Sequence, residues 1–123
     1  MSSNSEVVLV VDDDDAVRGA LKFALEVEGF RVQVYPGPEA LLADENLPDK
    51  GCLVVDYRMP GIDGLELIAR LKSRGVTLPV FLICSCMTCD LESRALRLGV
   101  REVFEKPLSD LVTSVRHLLH AGA

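Results

Sequence analysis

The sequence predicts an α/β fold, a doubly wound (βα)5 sandwich in which a five-stranded parallel sheet carries helices on both faces. Three observations predict it. Short, almost purely apolar runs, Val7–Val11, Cys52–Val55 and Pro79–Ile83, are bounded by turn residues, the signature of strands buried on both sides. Amphipathic helical stretches alternate with the runs, giving five βα units in a row. Right-handed crossovers then distribute the helices over both faces.

The elements follow in order. Glu6–Val11 is the first strand, after a short polar lead. Asp14 or Asp15 caps the helix behind it, because a side-chain oxygen there accepts orphan backbone N–H groups. Val17, Ala20, Leu21, Ala24 and Leu25 recur at helical spacing and predict one buried face, and Gly29 stops the helix. Phe30–Tyr35 alternates with period two as the second strand. Pro36-Gly37-Pro38 turns the chain into a short helix over Glu39–Glu45, and Leu47–Gly51 is a loop. Cys52–Asp56 is the third strand. The third helix covers Gly64–Ser73, with Leu67, Ile68 and Leu71 inward, and ends at Gly75. Pro79–Cys84 is the fourth strand. The fourth helix covers Cys89–Leu98, with Leu91, Ala95 and Leu98 on one face, and stops at Gly99. Arg101–Glu105 is the fifth strand. Ser109 can cap the last helix, which carries Leu111, Val112, Val115, Leu118 and Leu119.

With 123 residues, 49% of them hydrophobic, residues 1–123 read as one domain with a real core. Aromatic content is 5% with no Trp, so that core is aliphatic. A net charge of −6 argues against direct nucleic-acid binding by this domain. No apolar run approaches the ~20 residues that span a bilayer. The polar N-terminus does not read as a signal peptide, so a cytoplasmic setting with reduced thiols is expected.

Three strands end in charge: the first in Asp12-Asp13, the third in Asp56, the fifth in Glu105-Lys106-Pro107. Ligand sites of open α/β sheets lie at the carboxyl edge of the strands. Clustered acids and a lysine there point to a divalent metal and a phosphoryl group. Without a cation the acids repel and at least one carboxyl pKa rises. Mg2+ suits hard oxygen ligands, and phosphoryl transfer is catalysed mostly by positioning and electrostatics. Asp14, Asp15 and Asp63 read instead as caps and turn formers.

With these residues placed, the sequence resembles the receiver domain of bacterial two-component response regulators, from about Val7 to Leu119. The matching motifs are Asp12-Asp13, Asp56 with Met59-Pro60-Gly61 and Asp63-Gly64 behind it, and Lys106-Pro107. The wording Asp56-Tyr57-Arg58-Met59-Pro60 and Glu105-Lys106-Pro107 is most similar to the FixJ-like branch. The resemblance implies a flavodoxin-like strand order, 2-1-3-4-5. It implies Asp56 as phospho-acceptor from a sensor histidine kinase or phosphotransfer protein. Asp12, Asp13, Asp56 and the backbone carbonyl of Arg58 would hold Mg2+, and Lys106 would pair with phosphoryl oxygens. It also implies a cis Lys106–Pro107 bond. Such a module is not an enzyme in the usual sense, because it catalyses only its own phosphorylation and dephosphorylation. It either stands alone or forms the receiver part of a longer DNA-binding regulator.

The sequence departs from the family at two positions. Cys84 stands where receivers carry Thr or Ser, with Ser85 a substitute only if the register shifts. A thiol is a weaker donor than a hydroxyl. The family's inward-swinging aromatic is replaced by Val103, and Phe104 beside it points to the other face. Acceptor chemistry is expected intact, with altered or weakened coupling to the face of the fourth helix, fifth strand and fifth helix. Cys84, Cys86 and Cys89 are either small apolar residues or a redox or metal group; three thiols fall short of a closed zinc set. Cys52 reads as core. Arg94, Arg97 and Arg101 are either a solvated surface or part of a homodimer interface on that same face. His117 and His120 complement the last helix's dipole.

The chief rival is a phosphorylation-independent pseudo-receiver acting as an interaction module, although no acid nor the lysine is lost. A related phosphohydrolase needs a second acid two residues after the nucleophile, where Arg58 stands. A flavoprotein of similar topology needs a phosphate-binding loop where Asp12–Asp15 would repel phosphate.

Overall fold

The apolar runs form the strands because pairing satisfies their backbone while neighbours on two faces cover their side chains. The chain runs β1 (Val7–Val11), α1 (Asp15–Val27), β2 (Arg31–Tyr35), α2 (Pro38–Ala43), β3 (Gly51–Asp56) and α3 (Gly64–Ser73). It continues through β4 (Val80–Cys84), α4 (Cys89–Arg97), β5 (Glu102–Glu105) and α5 (Leu111–His120). The computed structural model describes residues 6–106 and 110–120. The strands pair in parallel in the order β2-β1-β3-β4-β5, as the resemblance implied.

Strand alternation sorts the core into two layers. Leu9, Leu53, Val55, Leu82 and Val103 meet Leu41 of α2, Leu67 and Ile68 of α3, and Leu91 and Ala95 of α4. Val8, Val10, Val54, Phe81 and Ile83 meet Leu21 and Leu25 of α1 and Leu111 and Val115 of α5. Every residue of β1, β3 and β4 is buried, which is why these strands read as unbroken apolar runs.

Several expectations shift. Ala20, which the helical spacing puts on the buried face of α1, is exposed; that face is carried by Leu21 and Leu25 with Val17 beside them. Phe23 and Val27 are 71% and 67% exposed, so α1 has a second apolar stripe on its outer side. Asp14 is the cap of α1, accepting from Ala16 and Val17 N–H at 2.9 and 3.1 Å. Phe30 does not open β2; its N–H closes back on Leu25 O at 3.2 Å as part of the helix end around Gly29. The second helix lies at Pro38–Ala43 rather than Glu39–Glu45, because proline fits a first helical turn and Asp44 is already extended. β3 starts at Gly51, whose φ of 131° and close approach to Val7 O (1.9 Å from an added Cβ) admit only glycine. The first, fourth and fifth strands each begin one residue later than read, and α4 ends at Arg97 with Leu98 as its cap. Ser109 and Pro107, with the expected cap and the expected cis bond, lie outside the described residues. None of the described helices is long and apolar enough to cross a membrane.

Candidate functional site

Alternation carries three side chains to one corner of the sheet. Asp12 continues the positions of Val8 and Val10, Asp56 those of Cys52 and Val54, and Lys106 that of Phe104, all on the α1–α5 side. Each is the first residue at or beyond a strand's carboxyl end, where apolar neighbours stop and a polar group can face outward. Asp12 is fully buried, Asp56 is 5% exposed and Asp13 is exposed. One carboxylate oxygen from each of these three lies within 4.8 Å of the others. Lys106 Nζ stands 3.8 Å from both Asp12 Oδ2 and Asp56 Oδ1.

Asp12 is fixed from several directions. Its N–H donates to Tyr35 O at 3.3 Å. Its Oδ1 accepts from Asp14 N–H at 2.9 Å, and its carbonyl accepts from Arg18 Nη1 at 2.7 Å. Asp12 Oδ2 remains buried with no hydrogen bond among the described residues. A buried carboxylate oxygen without a hydrogen bond is costly, and one ammonium 3.8 Å away, shared with Asp56, offsets that only in part. Burial first, and then the Asp12 charge, push the Asp56 carboxyl up to about 7, with Lys106 opposing. Asp12 is raised too, chiefly by burial, against the Asp14 N–H and Lys106. Three hard oxygen donors short of positive charge fit a hard divalent cation.

The β3–α3 turn holds Asp56 from behind. Tyr57 N–H donates to Ile83 O at 2.8 Å and Gly64 N–H to Tyr57 O at 2.7 Å. A Cβ on Gly64 would lie 2.5 Å from Asp56 O, so glycine is required there. Asp63 caps α3 through Glu66 N–H at 2.9 Å. Arg58 is exposed at the mouth of a ≈ 270 Å³ cavity that Tyr57, Cys84, Ser85, Cys86 and Arg94 also line.

Cys84 ends β4 in register with Glu105, buried on the α2–α4 side of the sheet beside Val103. Its thiol lies 3.7 Å from Phe104 O. Burial, Glu105, Cys86 and Asp56 all raise its pKa. Ser85 is exposed one residue past the strand, with no shift of register. Val103 and Phe104 take opposite faces. Cys52 is core, its thiol pushed up to about 12 by burial. Cys86 and Cys89 are free and exposed, so the apolar reading holds for Cys84 and not for these two. Among the described residues Asp12, Asp13 and Asp56 are the one group of ligating side chains close enough for a metal, and it contains no thiol. Arg94 pairs with Asp90 at 3.7 Å, while Arg97 and Arg101 are exposed. His117 is exposed on α5.

One contributor was not read from the sequence. Arg18 looks there like half of an i,i+3 surface pair with Asp15, a pair that does form. Its contact with the Asp12 carbonyl depends on how α1 folds back over the strand end, which no local pattern reports.

The family model described as response regulator receiver domain matches residues 8–116. The transcriptional regulatory protein FixJ of Azorhizobium caulinodans is 41% identical over 94% of this chain and 56% of its own length. The response regulator protein TodT of Pseudomonas putida is 31% identical over 97% of this chain and 53% of its own. The chain thus spans about half the length of these curated relatives. Among solved structures, FixJ-N superposes with a TM-score of 0.82 at 31% identity, covering 95% of this chain and 94% of that one.

Proposed function

This chain belongs to the response regulator receiver domain family, and on that premise we propose that Asp56 takes a phosphoryl group from the phosphohistidine of a sensor kinase or phosphotransfer protein. The observation that carries the reading is Asp12 Oδ2, buried beside buried Asp56, without a hydrogen bond and with Lys106 3.8 Å away as its one cation among the described residues. Asp12, Asp13 and Asp56 would hold Mg2+ with the backbone carbonyl of Arg58. Bound there, Mg2+ supplies the positive charge that lets the acids ionise together and that draws charge from the phosphoryl oxygens.

The chain's own residues do the rest. A carboxylate oxygen of Asp56 attacks phosphorus as the donor imidazole leaves, so an acylphosphate forms as an N–P bond breaks. Lys106 is near enough to Asp56 to pass from the carboxylate to an oxygen of the incoming group. The tight turn at Gly64 and the Tyr57 hydrogen bonds keep the Asp56 backbone still during attack. The same residues orient water for hydrolysis, so the domain catalyses only its own modification. Cys84 and Val103 occupy the positions of the family's switch pair and leave it with a weak donor and no aromatic. Phosphorylation is therefore read out through a weakened rearrangement of the α4–β5–α5 face. Exposed Leu96, Arg97 and Arg101 there would meet a second copy. Residues 1–123 act as one receiver unit in the cytoplasm, alone or within a longer regulator, and reach nucleic acid only through such a regulator.

Phosphoramidate, a small N–P donor, tests the transfer. Mg2+-dependent gain of one phosphoryl mass supports it. No gain, with no Mg2+ binding, would leave a pseudo-receiver recognised through its surface alone.

A further inference from the structure

We infer that Arg18 is a positioning residue for the acidic site, acting through the Asp12 carbonyl; the inference rests on the metal reading above. Its guanidinium side chain is only 18% exposed, although it lies in the second turn of a surface helix. Nη1 donates to Asp12 O at 2.7 Å, while Nη2 pairs with the Asp15 carboxylate. Asp15 is 90% exposed, so most of the ordering comes from the inner contact.

The Asp12 carbonyl belongs to the peptide that leads into Asp13. Holding that oxygen fixes the peptide plane and thereby the direction in which the Asp13 side chain leaves the backbone. The Asp12 side chain is set by the Asp14 N–H on Oδ1, which leaves Oδ2 turned to Asp56 and Lys106. Arg18 therefore acts on Asp13, which is exposed and has no ion pair among the described residues, whereas buried Asp12 and Asp56 both pair with Lys106. A planar fork can span the carbonyl and Asp15 together, whereas a lysine ammonium offers a single point of contact. Residues behind metal ligands commonly change metal affinity 10–100-fold when removed.

The test is Mg2+ affinity, followed through the amide resonances of residues 10–14, in wild type, Arg18→Ala, Arg18→Lys and Asp15→Ala, each checked for folding by thermal melt. Arg18→Ala is expected to weaken Mg2+ binding about tenfold and Arg18→Lys by a smaller factor. Asp15→Ala is expected to stay within about twofold, since the carbonyl contact survives. Labelling by phosphoramidate should slow in Arg18→Ala at low Mg2+ and recover when Mg2+ saturates. Wild-type affinity in folded Arg18→Lys or Arg18→Ala overturns the inference and leaves the metal reading standing. Absence of Mg2+ binding by wild type overturns both. If Arg18→Ala does not fold, Arg18→Lys decides.

Discussion

Replacing Asp56 by Asn should stabilise the metal-free domain at neutral and alkaline pH, although it removes the proposed acceptor. Asp56 is 5% exposed beside fully buried Asp12, and its carboxyl is pushed up to about 7 by burial and by the Asp12 charge. In the unfolded chain the same group titrates near 3.9. The folded state therefore binds the proton more tightly than the unfolded one. Stability from this group is greatest below about pH 4, falls as pH rises toward about 7, and is flat above. A shift of about three pKa units corresponds to at most about 4 kcal/mol. Because Asp12 shares the proton and Lys106 offsets part of the repulsion, about 2–4 kcal/mol is expected. For a domain of this size that is roughly 6–15 °C in Tm. Thermal melts of wild type and Asp56→Asn in chelator, from about pH 5 to about pH 8, isolate the effect. Groups remote from the site titrate alike in the two proteins, so the difference curve belongs to Asp56 together with its coupled neighbour Asp12. The difference should be about a third of its full size near pH 5, should widen to its full size by about pH 8, and should shrink when millimolar Mg2+ is added to wild type. A pH-independent difference, or a mutant less stable than wild type at pH 8, would refute the account of a charge-strained site.

Lys106→Ala removes the cation 3.8 Å from both buried acids; in chelator at pH 8 it should cost about 1–3 kcal/mol in a denaturant titration, and phosphoramidate labelling should slow at least tenfold. Cys84→Thr puts a stronger donor at the end of β4, and labelling by acetyl phosphate should rise roughly fivefold, about one hydrogen bond's worth; an unchanged rate would mean that the thiol position does not reach the phosphoryl group. Amide shifts of the α4–β5–α5 face on adding beryllium fluoride should be small in wild type and larger in Cys84→Thr/Val103→Tyr, and full-size shifts in wild type would remove the idea of weak coupling. Gly64→Ala forces a Cβ to within 2.5 Å of Asp56 O; it should destabilise by about 1–3 kcal/mol, measured in urea, and slow labelling with it.

The sheet and its charged edge were legible because one physical pattern encodes both. A run such as Leu53-Val54-Val55 can be covered only between two helical layers, and a carboxylate at its end can only be at the rim. Asp12, Asp56 and Lys106 each end such a run, so their meeting follows from topology. What escaped depends on packing. Helix α1 carries apolar residues on two sides, Leu21 and Leu25 on one, Phe23 and Val27 on the other. Periodicity alone placed Ala20 inward, and only the sheet shows which stripe it accepts. Arg18 was hidden because its partner is a backbone carbonyl, which any residue at position 12 would offer. Cys86 lies in the β4–α4 loop, whose path no period describes, and Cys89 opens α4 on its exposed side.

The most direct measurement of the central claim is the location of the phosphoryl group. The chain is treated with phosphoramidate and Mg2+, reduced with borohydride, which converts an aspartyl phosphate to homoserine, and mapped by peptide mass. The account predicts homoserine at position 56 alone, lost on chelation of Mg2+ and absent in Asp56→Asn. Modification at Asp12, Asp13 or Cys84 instead, or labelling that survives in Asp56→Asn, would contradict it.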